Sequence, residues 1–170
     1  MKIQEGVARM WFLLEKLRQP DVVQLLVHLL FVGICLYVAW TDLRERRIPN
    51  DALLFGFLFT TLLALLFPEA FSWSMHALPA IAFTLGFVLL SLWWPAALGM
   101  GDAKLLGLLV YGLGFQAFLS VFTLACTFAF LTALLLLSCK KIKAGGTLPY
   151  APFVAVGMLC ELIFHLLDFN

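Results

Sequence analysis

Two aspartates stand out in an otherwise apolar chain. Asp42 closes a long apolar run and opens "DLRERRIPN"; Asp102 sits in "GMGDAK", between a pair of glycines and a lysine. A carboxylate at or inside a membrane costs about 2.5–3.5 kcal/mol on insertion scales, so an acid kept there is a functional candidate. Asp51 and Glu161 are the other acids at such positions. Two carboxylates held close together repel each other and titrate as a pair. One is then ionised and can take a proton from water, while the other stays protonated and can polarise a carbonyl. That is a means of hydrolysing an amide. Each aspartate also has a purely structural reading. Asp42 could be one charge in a solvated anchor, and Asp102 could be the N-cap of the helix that follows it.

The elements that would carry these residues follow from composition. Of 170 residues, 64% are hydrophobic and 12% charged, and the mean hydropathy is +1.03. A soluble domain of this size cannot bury that much apolar surface. The chain reads as an all-α, polytopic membrane protein. A span needs about twenty mostly apolar residues. Such stretches run over 22–41, 51–67, 77–94, 115–138 and 149–169, with a shorter one over 103–114, giving about six transmembrane helices. Residues 22–170 form the transmembrane domain. Residues 1–21 do not form a secretory signal, because Glu15 cuts a short apolar run. Ile3, Val7, Met10, Trp11, Leu14 and Leu17 fall near helical spacing, which predicts an amphipathic segment lying on the bilayer surface.

With six spans, "DLRERRIPN", "GMGDAK" and "KKIKAGG" fall on one side and carry seven of the eleven basic residues. The opposite loops carry none. The positive-inside rule puts the basic loops, and both aspartates with them, at the cytoplasmic face of the cytoplasmic membrane. The N-terminal tail, with Lys2, Arg9, Lys16 and Arg18, pulls the other way. Arg44, Arg46 and Arg47 suit lipid headgroups.

Around the aspartates, Gly99 and Gly101 lack a Cβ, which permits unusual backbone angles and close helix approach. Pro49 favours an extended residue at Ile48, and Asn50 is then a candidate N-cap for the second helix, with Asp51 in its first turn. Pro149 and Pro152 mark the start of the last helix. Lys104 stands two residues from Asp102, too close in sequence to face it across a helix, and is read as reaching headgroups or another partner. Cys35, Cys126, Cys139 and Cys160 have no C-x-x-C spacing, so neither a zinc ribbon nor a disulfide framework is expected. His28 and His165 read as packing or interfacial residues. No metal or cofactor is expected, and a net charge of +1 gives no case for nucleic acid.

Three motifs resemble one family. "TDLRERRIPN" resembles the first aspartate motif of the type IV prepilin peptidases, "GMGDAKLLG" their G-x-G-D-x-K-L motif, and "LPYAPFVAVG" the Pro-x-x-Pro-Phe-x-x-x-Gly approach to their last helix. The resemblance implies an intramembrane aspartic endopeptidase. It would remove the short basic leader of prepilins or pilin-like proteins at the cytoplasmic face, just before the pilin's hydrophobic helix, with Asp42 and Asp102 as catalytic pair. The chain lacks the paired C-x-x-C region that large members associate with N-methylation. It is therefore similar to the short form found in Tad/Flp pilus systems and among archaeal preflagellin peptidases, and no methyltransferase activity is expected. Its partners would be a prepilin and the bilayer.

Other intramembrane proteases fit less well. There is no H-E-x-x-H for a zinc enzyme and no serine loop of the G-x-S-x-G kind. Presenilin-like enzymes share G-x-G-D, but have Tyr-Asp and Pro-Ala-Leu where this chain has "WTD" and "LPY". A non-catalytic subunit of a pilus or secretion assembly, a small transporter, and an inactive peptidase homologue are the remaining alternatives. A transporter would place its carboxylates near the midplane rather than at an edge.

Overall fold

The structure is a computed structural model, and it describes residues 19–93, 99–139 and 148–168. The expected amphipathic segment at the N-terminus and the "KKIKAGG" loop therefore lie outside the described residues, apart from the start of the first helix.

Six helices make up the fold: α1 (Pro20–Glu45), α2 (Asn50–Leu66), α3 (Leu78–Trp93), α4 (Met100–Leu113), α5 (Phe115–Ser138) and α6 (Ala151–Asp168). A short 3-10 turn, Pro68–Ala70, and a single π-helical turn, Trp73–Ala77, connect α2 to α3. The protein is an all-α polytopic membrane protein. Among the described residues, the segments Pro20–Glu45, Trp73–Trp93 and Phe115–Ser138 are long and apolar enough to cross a bilayer; α2 and α6 are shorter apolar helices. Trp73 and Trp93, both strongly exposed, stand at the two ends of one such segment, as aromatic residues do at membrane interfaces.

α1 begins with Pro20, whose missing N–H costs nothing in a first turn, and Asp21 sits at the positive end of the helix dipole. It runs one turn further than hydropathy alone predicts, to Glu45. It ends where Arg46 enters the left-handed region (φ 53°, ψ 40°) and returns its N–H to the Asp42 carbonyl at 3.0 Å. A non-glycine residue there costs about 1–2 kcal/mol. Along α1 the buried stripe is Val27, Phe31, Cys35, Val38 and Asp42, spaced three or four residues apart. Asp42 is thus the last member of the stripe that packs into the bundle.

α4, which composition marks as the weakest span, is the centre of the molecule. Leu105, Leu106, Leu109 and Val110 are all fully buried, and α4 packs against α1, α2, α3 and α5. A helix apolar all round belongs inside a bundle. Its 14 residues reach only about 21 Å, against a hydrocarbon core of about 30 Å. Neighbouring helices surround most of it. α6 lies between α1 and α5. Gly157 is what lets it approach α5: a Cβ there would stand 2.6 Å from the Val121 carbonyl oxygen.

Candidate active site

The end of α1, the start of α4 and the start of α6 meet in one layer. α1 supplies Asp42, in its last turn and buried. A carboxylate in that position faces the negative end of its own helix. α6 compensates. Its first turn has Pro152, which has no N–H, and Phe153 and Val154, whose N–H groups both donate to the Tyr150 carbonyl (3.0 and 3.3 Å). The Ala151 N–H is left over, and it donates to Asp42 Oδ2 at 3.3 Å. The positive end of α6 is thereby aimed at the Asp42 carboxylate.

α4 supplies Asp102 as its third helical residue. The N-cap of α4 is Gly99, not Asp102, which corrects the structural reading of Asp102 as a cap. The half-buried Asp102 carboxylate instead reaches back and accepts the Gly99 backbone N–H, the carboxylate half of a capping box. A Cβ on Gly99 would lie 3.0 Å from Asp102 Oδ2. Asp42 lies within electrostatic reach of Asp102. Tyr150, next to Ala151, is also within electrostatic reach of Asp102, and its hydroxyl lies 3.5 Å from the Cys126 thiol of α5.

The loop from Arg46 to Pro49 closes a third side. Gly99 has ordinary angles (φ −70°, ψ 145°), and the one described glycine with positive φ is Gly114. The expectation of unusual backbone angles at Gly99 and Gly101 is therefore corrected. What these glycines provide is space, and at Gly101 the space is filled by Ile48. Asn50 is likewise not the N-cap of α2. Pro49 holds that position, and Asn50 is the first helical residue. Its side-chain oxygen instead accepts a hydrogen bond from Lys104 Nζ at 3.2 Å. Ile48 and Asn50 from one motif therefore meet Gly101 and Lys104 from the other. Pro149 precedes α6 and Pro152 lies in its first turn, as their spacing suggests.

Arg44 stacks on Trp40 at 4.0 Å, outside the aspartate layer. His28 and His165 pack ring against ring, their centroids 4.4 Å apart. Among the described residues no group of three or more His, Cys, Asp or Glu could hold a metal ion.

Sequence reasoning missed Tyr150 and Ala151. The signal was present in Pro-Tyr-Ala-Pro: a first turn with a proline at its second position leaves few N–H groups, and Ala151 carries one of them.

The family model described as the type IV leader peptidase family matches residues 29–135. The chain belongs to the type IV leader peptidase family. The matched stretch contains Asp42, Ile48–Asn50, Gly99, Gly101, Asp102 and Lys104, and ends before the Pro149–Pro152 turn. Family membership makes the chain a leader-peptidase-type protease embedded in the membrane. Neither the curated proteins nor the solved structures give a match.

Proposed function

We propose that the chain is an intramembrane aspartic endopeptidase, with Asp42 and Asp102 as its catalytic pair. It removes the short basic leader from type IV prepilins or pilin-like proteins of the Tad/Flp kind, at the cytoplasmic face of the cytoplasmic membrane, without N-methylating the product. The observation that carries this reading is geometric: the Ile48–Gly101 and Asn50–Lys104 contacts join the segment that follows Asp42 to the turn that carries Asp102, so two aspartates 60 positions apart in sequence share one end of the bundle.

In this mechanism the ionised carboxylate takes a proton from water as the oxygen attacks the peptide carbonyl. The protonated carboxyl gives its proton to the carbonyl oxygen, and a gem-diol forms. The C–N bond then breaks, one diol proton returns to a carboxylate, and the other carboxyl's proton goes to the leaving nitrogen. Ala151 and Gly99 keep both carboxylates oriented through the cycle. Gly101, Ile48, Asn50 and Lys104 hold the two aspartate-bearing segments together. Pro149 and Pro152 set which N–H reaches Asp42.

The test is co-expression with a Flp-type prepilin, reading the pilin's size on a gel. Wild type is expected to shorten the pilin. Asp42→Asn and Asp102→Asn, at normal membrane levels, are expected to lower the rate by about 10²–10⁴-fold each. Cleavage by either variant at the wild-type rate would remove that aspartate from the mechanism.

A further inference from the structure

α2 and α3 both pack on α4, and between them runs a lateral cleft of about 830 Å³. Asn50 and Lys104 line one end of it, and Trp73 the other. From Asn50 to Thr61 it follows α2 for about 17 Å, or three helical turns. The walls are apolar except where Tyr111 donates to the Thr61 hydroxyl at 3.2 Å, Thr61 in turn donating to the Phe57 carbonyl. The floor includes Gly107, with Thr84 lying against it.

We infer that this cleft receives the hydrophobic helix of the substrate. The inference rests on the leader-peptidase reading above and says where the substrate lies. Its first support is continuity with the site. Asn50 lines the cleft, while Ile48, two residues earlier, packs on Gly101 beside Asp102. Lys104 lines the cleft, while Asp102, two residues earlier, faces Asp42. A helix lying in the cleft therefore has one end beside the aspartate layer, where the chain leading into that helix must be cut. The second support is chemistry. Helices associate in membranes through small residues and side-chain hydroxyls. Ala77 and Ala80 supply the first, and the Thr61–Tyr111 hydroxyl pair the second. The α2 wall is also open to a partner, because Leu54 and Phe57 are both exposed.

The inference is tested by photo-crosslinking in cells that co-express the full chain and a Flp-type prepilin. Benzoylphenylalanine replaces Leu54 on the α2 wall, Leu85 on the α3 wall, or Tyr37, which lines a separate groove between α1 and α2. Each replacement is first checked for pilin cleavage with both aspartates intact. It is then combined with Asp102→Asn to hold uncut substrate. An enzyme–pilin adduct from Leu54 and Leu85, and none from Tyr37, is the expected result. Adducts from Tyr37 alone, equal adducts from all three, or only lipid adducts at Leu54 and Leu85 while wild type cuts the pilin would each overturn it. If adducts form in the cleft but wild type cuts no pilin, the docking site stands and the protease reading fails.

Discussion

Ile48 occupies the space that a side chain on Gly101 would need: a Cβ built there lies 2.9 Å from Ile48 Cβ. This contact fixes the loop that follows Asp42 and α1 against the first turn of α4, which carries Asp102.

Gly101→Ala should therefore push the loop away from α4. Overpacking of this kind costs about 1–3 kcal/mol. Prepilin cleavage should fall more steeply than stability, because the displaced elements bear both carboxylates. Ile48→Gly, which removes the Cβ that the new methyl meets, should restore part of the activity in the double variant. A cycle of the four proteins, scored by cleavage rate, measures the coupling. Additive losses would show that the two residues are not coupled.

Cleavage should depend on pH as a bell. Below the lower apparent pKa of the pair both carboxyls are protonated and no base is left. Above the upper one both are ionised and no acid is left. Activity falls on either side of the window in which the pair shares one proton. Initial rates in proteoliposomes of varied pH check this, and a rate that rises or falls in one direction only would contradict the shared proton.

Lys104→Met removes the hydrogen bond to Asn50 and leaves the aspartates in place. Lys104 is exposed, so the loss should be at most about 1 kcal/mol, or roughly fivefold in cleavage rate. The pH optimum should not move, since Lys104 carries no proton in the reaction. A shifted optimum would give Lys104 a place in the chemistry.

Gly157→Ala should separate α6 from α5, because the new methyl meets backbone that cannot swing aside. A loss of about 1–3 kcal/mol in detergent unfolding is expected, with cleavage reduced as well. Gly33 in α1 is the control: a Cβ there meets nothing within 4 Å. Gly33→Ala should be neutral or stabilise the helix by up to about 1 kcal/mol.

Much of this was legible in the sequence. Hydropathy located all six helices, and loop order placed Asp42 and Asp102 on one side of the bundle. Side-chain identity could not show what backbone groups do. The Ala151 N–H is a site group without a side chain, and Asn50, which looks like a cap, serves Lys104 instead. Nor does a hydropathy window show that a short helix is central: α4, the shortest of the six, is the one that α1, α2, α3 and α5 pack around.

The burial of α6 against both α1 and α5 has a consequence for how the rate barrier is lowered. A helix wedged between two others cannot slide without repacking both, so the dipole it aims at Asp42 is already oriented when substrate arrives. No reorganisation is then needed during turnover, which is where fixed dipoles outperform water.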